Sequence, residues 1–240
     1  MKGILFAVGV GPGDPELLTL KAVKEIKNAD CIACPESKGE PGVAYRIAKS
    51  AVHEIESKEL LLLEFPMREG DIKEFHPKAA DQIILRLSKG KNVAFLTLGD
   101  PSFYSTFFYV ADIIANRGYD FEIINGITSF SAVSSKLKLP LSLGDESVMI
   151  TSGEFVDFEG TLVILKAGNK LKEIKEKVSS SGRTAYMAEN CGMENERVYH
   201  SQAREGVSVE NVECITQDVS CGYAVIEMFS KWDGGDKRYA

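Results

Sequence analysis

No stretch of this chain approaches the roughly 18 uninterrupted apolar residues that a membrane span needs. Its first apolar run, Ile4 to Val10, passes straight into a glycine- and proline-rich turn. That run also lacks the length, basic flank and small-residue cleavage site of a signal peptide. Basic residues are in deficit: 28 Lys and Arg against 35 Asp and Glu leave a formal net charge of -7 over 240 residues. This balance excludes the broad basic footprint of a protein built to bind nucleic acid or acidic lipid. Histidine is scarce, with three residues in all. His53, His76 and His200 read as surface or rim residues, and no Ser-His-Asp or Cys-His arrangement stands out. Internal repeats and low-complexity tracts are also lacking.

Cysteine is neither abundant nor even in number. Five cysteines in a chain long enough not to need staples suit a reducing compartment, which predicts a cytoplasmic protein. Cys31 and Cys34 form a C-x-x-C, a spacing that can hold zinc or run redox chemistry. A zinc site needs a second pair, however, and Cys191, Cys214 and Cys221 offer no matching spacing. The segment reads instead as a buried strand in which cysteine behaves as a small hydrophobe, and no protein metal site is expected.

What is present is an ordinary globular composition, 44% hydrophobic and 26% charged. Apolar runs at Ile4 to Val8, Cys31 to Ala33, Leu60 to Leu63, Val93 to Leu98 and Phe121 to Ile124 alternate with helical spacing at Pro15 to Asn28, Val43 to Val52, Ala79 to Ser88 and Ser105 to Asn116. Strands alternating with helices, and running apolar rather than strictly alternating, predict a mostly parallel sheet with helices on both faces. Around Lys138 to Gly144 the pattern breaks. Beyond it strand candidates crowd together at Ser147 to Thr151, Thr161 to Leu165, Thr184 to Ala188, Arg197 to His200 and Tyr223 to Phe229, with one long helix at Lys170 to Ser179. The expectation is an α/β protein of two domains: an N-terminal α/β domain over 1–138 and a C-terminal mixed α/β domain over 139–240.

The turn Val8-Gly9-Val10-Gly11-Pro12-Gly13-Asp14-Pro15 lies where the first strand meets the first helix, the place where such sheets open a ligand crevice. A dinucleotide fingerprint G-x-G-x-x-G would require glycine at position 14, which is Asp14, and Pro12 removes a backbone donor. A phosphate loop needs Gly-Lys-Ser/Thr, and Asp14-Pro15-Glu16 supplies an acidic helix start instead. The common Rossmann-type methyltransferases place an acid two residues before the first glycine, where this chain has Ala7. By itself the turn also fits a tight strand-to-helix connection capped by Asp14, with Pro15 at the first helical position.

The turn does not stand alone. The segment from Gly9 to Ala22 followed by Ala29-Asp30, the segment Val93-Ala-Phe-Leu-Thr-Leu-Gly-Asp-Pro-Ser-Phe-Tyr-Ser-Thr106, and Asn125-Gly-Ile-Thr-Ser-Phe-Ser-Ala132 followed by Leu139-Pro140-Leu141 occur in order. Together they resemble the tetrapyrrole methylase family, with the second in the form typical of its precorrin-2 C-20 methyltransferases. The likeness covers the first 145 or so residues well and the rest loosely. One departure is Asn125, where members of that family usually carry proline. Asparagine tolerates unusual backbone angles, so a turn can survive there.

The resemblance implies the two-domain tetrapyrrole methylase fold, with S-adenosyl-L-methionine bound in the cleft between the domains and leaving as S-adenosyl-L-homocysteine. It implies a cofactor shell of Pro12, Gly99, Asp100, Tyr104, Ser105, Thr106, Thr128 and Ser129, with Leu165, Ala188 and Ala224 from the second domain. Asp100 and Tyr104 stand nearest the chemistry, Asp100 as a carboxylate for the amino group or positive charge of the methionyl part. The implied substrate is precorrin-2 or its cobalt complex, methylated at C-20. Its carboxylates suit local cations such as Arg68, Lys78, Lys166 and Arg183. The implied assembly is a homodimer. Other readings stay open on the residues alone. Gly-Asp-Pro is often only a capped turn, Tyr104 and Phe107 suit a core, and Ser129 suits a helix N-cap. Uroporphyrinogen methylation at C-2 and C-7, another ring position, or cofactor binding without turnover would fit the same fold.

Overall fold

The computed structural model describes residues 2–65, 72–181, 183, 185–201 and 224–227. The chain divides into two compact units, Met1–Thr128 and Ser129–Ala240.

In the first unit the elements run β1 (Leu5–Gly9), α1 (Leu20–Asn28), β2 (Cys31–Ser37), β3 (Glu40–Pro41), α2 (Val43–Ala51), β4 (Glu59–Leu63), α3 (Ile72–Leu87), β5 (Val93–Thr97), α4 (Phe107–Asn116) and β6 (Phe121–Ile124). Five strands pair in parallel in the order β4-β2-β5-β1-β6, and the short β3 folds back antiparallel on the end of β2. β1 and β5 are buried at every position, as expected for parallel strands covered on both faces. Successive side chains alternate between two cores. Leu5, Ala7, Val93 and Phe95 pack with Ile83 and Leu87 of α3 and with Phe107, Val110 and Ile114 of α4. On the other face Phe6, Val8, Ala94 and Leu96 pack with Ala22 and Ile26 of α1 and with Ile47 and Ala48 of α2.

The same alternation decides the C-x-x-C. Cys31 belongs to the first core and Cys34 to the second, so the two buried thiols face opposite sides of the sheet and do not converge on one ion. Burial pushes each thiol up to about 11.

Several boundaries differ from the sequence expectation for local reasons. The helix expected over Pro15 to Asn28 is broken. Asp14 accepts the Glu16 amide at 2.9 Å and starts a single 3-10 turn, Pro15–Leu17. Leu18 is extended, and Thr19 then caps α1 by accepting the Ala22 amide at 3.1 Å. β2 continues through Pro35, which is in register with Leu63 of β4, and its last residues pair with β3.

In the second unit the elements are α5 (Ser129–Leu137), β7 (Val148–Ser152), β8 (Thr161–Leu165), α6 (Leu171–Ser181), β9 (Ala185–Glu189), β10 (Arg197–Ser201) and β11 (Ala224–Glu227). The sheet order is β10-β9-β11-β8-β7, with β7 and β8 parallel and the other neighbours antiparallel. This is the mixed sheet that the crowded strands predict. Leu162, Ile164 and Met187 pack with Ile174 and Val178 of α6. α5, for which the sequence reading offered only Ser129 as a helix N-cap, begins at Ser129 and carries Phe130 and Val133 on its buried side despite four serines.

Candidate active site

Strand order sets the site. β5, β1 and β6 are neighbours and run parallel, so Gly9, Thr97 and Ile124 end at the same edge of the sheet. The chain leaves β1 through α1 toward β2 on one side, whereas β5 leads through α4 over to β6 on the other. A parallel sheet opens a crevice where its connections diverge in this way. The three loops that carry the quoted motifs are therefore brought together at one place by topology.

Backbone contacts join them. Gly11 and Gly99 exchange hydrogen bonds, Gly99 N to Gly11 O at 2.8 Å and Gly11 N to Gly99 O at 3.3 Å. Gly9 and Gly126 approach so closely that a Cβ on Gly126 would lie 2.1 Å from the Gly99 oxygen and 2.9 Å from Gly9 Cα. Glycine is required at this crossing because no side chain fits. Gly99 differs. Its φ is 69°, and a Cβ there would meet nothing nearer than Ile127 O at 3.9 Å, so its backbone faces open space.

Asp100 is the polar centre of the cluster and only 6% exposed. Its Oδ1 accepts the Ser102 amide at 2.7 Å, and its Oδ2 accepts the Gly126 amide at 2.9 Å and the Asn125 side-chain amide at 3.2 Å. Burial pushes the carboxyl up, but hydrogen bonds from the backbone of Ser102 and Gly126, the Ser102 side chain and the Asn125 amide outweigh it and hold the group below its ordinary value. A carboxylate that accepts donors from its own turn and from the β6 loop ties the two loops together. The β6 loop is also held from the other side by the Thr19 hydroxyl, which donates to Asn125 O at 3.3 Å.

The remaining motif residues line these loops. Pro12 is buried in the turn after Gly11. Ser105 Oγ lies 3.0 Å from Thr97 Oγ1 and accepts the Phe107 amide at 3.1 Å, fixing the entry into α4, with Thr106 next to it. Tyr104 sits at φ 48° and is 47% exposed. For a bulky side chain this left-handed backbone costs about 1–2 kcal/mol, and such strain tends to collect at functional sites. Thr128 ends the β6 loop, and Ser129 is the first residue of α5.

In the second unit, Leu165, Ala224 and Ala188 fall in one register row, Ala224 standing opposite Leu165 on one side and Ala188 on the other. Three residues far apart in sequence are thus adjacent on the sheet.

The histidines and cations are distributed otherwise. His76 stacks on Tyr109 with ring centroids 4.9 Å apart, and burial lowers its pKa. His53 begins a 3-10 turn after α2, and His200 lies in β10. Arg183 pairs with Asp157 at 3.0 Å and donates to Phe158 O. Lys78 is on α3 over the Phe75 ring, and Lys166 follows β8 directly at φ 57°. Arg68 lies outside the described residues. Asn125 and Gly126 are the site residues missing from the sequence-derived shell. Their signal was an Asn-Gly pair at the end of an apolar strand, a turn word, which by itself does not say that the amide would meet Asp100.

Residues 5–206 match the tetrapyrrole (corrin/porphyrin) methylases. The chain is 38% identical over 184 residues to a probable cobalt-precorrin-2 C(20)-methyltransferase of Methanocaldococcus jannaschii, covering 72% of this chain and 77% of that protein. It is 34% identical over 197 residues to a precorrin-2 C(20)-methyltransferase of Sinorhizobium sp, covering 75% and 80%. Its fold is similar to a crystal structure of uroporphyrin-III C-methyl transferase from Thermus thermophilus complexed with S-adenyl homocysteine, with a TM-score of 0.68 at 21% identity over 93% of this chain and 97% of that one. With its motif loops gathered at one sheet edge and the match running through most of its length, the chain belongs to the tetrapyrrole (corrin/porphyrin) methylases.

Proposed function

We propose that this methyltransferase moves the methyl group of S-adenosylmethionine to C-20 of precorrin-2 or of its cobalt complex, a step of cobalamin biosynthesis. The observation that carries the proposal is the convergence of the three motif loops beside the open backbone of Gly99, in a chain most like C-20 methyltransferases among the relatives above. Backbone amides and small hydroxyls at a strand edge suit a neutral, hydrogen-bonding ligand such as an adenosyl group, and a buried ionised carboxylate suits a nearby cation. When bound, S-adenosylmethionine supplies a methyl on a sulfonium, already an activated electrophile.

The protein's task is therefore to bind, orient and exclude water. Pro12, Gly99, Ser105, Thr106, Thr128 and Ser129 form the donor's surroundings, with Leu165, Ala188 and Ala224 as further contacts supported by their shared row. Asp100 holds the loops and presents negative charge, and Tyr104 stands at the reacting side. Lys78 and Lys166, both exposed, are the candidates for substrate carboxylates, and charge reversal at each tests that. The chain works as a cytoplasmic homodimer in this proposal, the compartment supported by its unpaired thiols Cys31 and Cys34 and the dimer by the family likeness. Light scattering at micromolar concentration tests the dimer.

The deciding experiment is an incubation of purified protein with labelled methyl donor and precorrin-2, with and without cobalt, followed by mass and NMR analysis. One methyl gained at C-20 is expected. Label at another ring carbon, or donor binding without transfer, would overturn the assignment.

A further inference from the structure

We propose that Asn125 is a positioning residue of the donor site: its side-chain amide, acting with the Gly126 amide on one oxygen of Asp100, locks the β6 loop onto the β5 loop in the donor-receiving arrangement. The inference rests on the donor reading above and deepens it.

The geometry points to Asn125 from two directions. Its side chain donates to Asp100 Oδ2 at 3.2 Å while its own carbonyl accepts the Thr19 hydroxyl at 3.3 Å. One residue therefore connects the start of α1, the β6 loop and the Gly-Asp-Pro turn after β5. Gly126 alone is a weak lock, because the same crossing places Gly9, Gly99 and Gly126 in backbone contact with no side chains to interdigitate. Three glycines in contact are conformationally permissive, so the register of the loops depends on polar anchors. Asp100 has two anchoring oxygens. Oδ1 serves its own turn through Ser102, and only Oδ2 reaches across to β6, where Asn125 supplies one of its two donors. The hydroxyls of Ser105 and Thr97 face each other.

The partners that hold the Asp100 carboxylate are the amide of Ser102 and its side chain, the amide of Gly126 and the amide of Asn125, none of them charged. A hydrogen bond from a neutral amide to a buried carboxylate is worth considerably more than one between neutral groups. Its loss should be felt first as loosened loops and weakened donor binding.

The test measures S-adenosylhomocysteine affinity by calorimetry for the wild type, Asn125→Ala and Asn125→Asp across pH 5 to 8, with thermal midpoints alongside. Wild type is expected to bind with little pH dependence. Asn125→Ala should bind roughly tenfold more weakly, with a larger rise in the KM for donor than fall in kcat. Asn125→Asp places two carboxyl groups within hydrogen-bond distance, where both cannot ionise without repulsion. It should bind worst at pH 8 and recover toward wild type as the pH falls, because a shared proton restores the missing donor. A merely structural asparagine would not produce that recovery. Affinity in Asn125→Ala within twofold of wild type, or an Asn125→Asp variant flat across pH, overturns the proposal. Should the alanine variant not fold, the isosteric aspartate variant decides through its pH profile. A wild type that fails to bind S-adenosylhomocysteine at all overturns the donor reading itself and this inference with it, a result distinct from a bound wild type and unaffected variants.

Discussion

Gly99 and Gly126 lie within one loop crossing, yet adding a methyl to each should damage different properties. At Gly126 the new Cβ would stand 2.1 Å from Gly99 O and 2.9 Å from both the carbonyl carbon and Cα of Gly9. Ordinary contact distances demand a shift of about 1 Å, backbone against backbone. Overpacking of this kind costs about 1–3 kcal/mol, and the displacement also breaks the Gly126 amide's bond to Asp100, worth about 1.5–3 kcal/mol for a charged acceptor. The sum, roughly 2.5–6 kcal/mol, corresponds to a fall of about 5–24 °C in thermal midpoint for a chain of this size. At Gly99 the methyl meets nothing within 3.9 Å, so only the left-handed backbone penalty applies, about 1–2 kcal/mol. Donor affinity should nevertheless fall at least tenfold in Gly99→Ala, because the methyl occupies the open space assigned to the donor. Differential scanning calorimetry of both variants, with S-adenosylhomocysteine titrations on the folded fraction, reads both effects. The reasoning is refuted if Gly126→Ala melts no lower than Gly99→Ala, or if Gly99→Ala binds like the wild type.

Three further outcomes are expected. Tyr104→Gly relieves a bulky residue at φ 48°, so its thermal midpoint should hold or rise while methyl transfer falls more than tenfold, and a parallel loss of both would make Tyr104 structural. Cys31 and Cys34, buried and pushed to about 11, should resist iodoacetamide at pH 8 in the folded protein and react once denatured, as peptide mass spectrometry would show. The depressed pKa of Asp100 means that its ionised form stabilises the fold above its ordinary value of 3.8 and that this contribution is lost as pH falls through the folded value. The difference in thermal midpoint between wild type and Asp100→Asn should therefore stay level from pH 8 to pH 5 and shrink below about pH 4. A gap that widens on acidification would contradict the linkage.

Much of the architecture was legible because burial on both faces leaves a period-free apolar run. Phe121–Ile124 and Thr161–Leu165 are strands with the bounds read from sequence, and the strands β7 to β11 follow the break near Lys138. Local chemistry that acts at one residue was harder to weigh. Thr19 reads as part of a helix by spacing, but its hydroxyl caps a new one. Phe130 and Val133 mark the buried side of α5, yet its serines mask the periodicity because they favour caps and turns.

Most of the elements, the motif turns and the family likeness were readable along the chain, since these depend on residue type and short-range spacing. Only the tertiary structure decided which strand ends are neighbours. Inserting β5 between β2 and β1 brings Gly9, Gly99 and Gly126 into contact across 117 residues of chain, and pairing β11 with both β8 and β9 sets Leu165, Ala224 and Ala188 side by side. The hydrogen bond from Asn125 to Asp100 belongs to the same class. It is a pairing across 25 residues, produced by the order in which parallel strands share backbone hydrogen bonds, and no local preference of either residue specifies it.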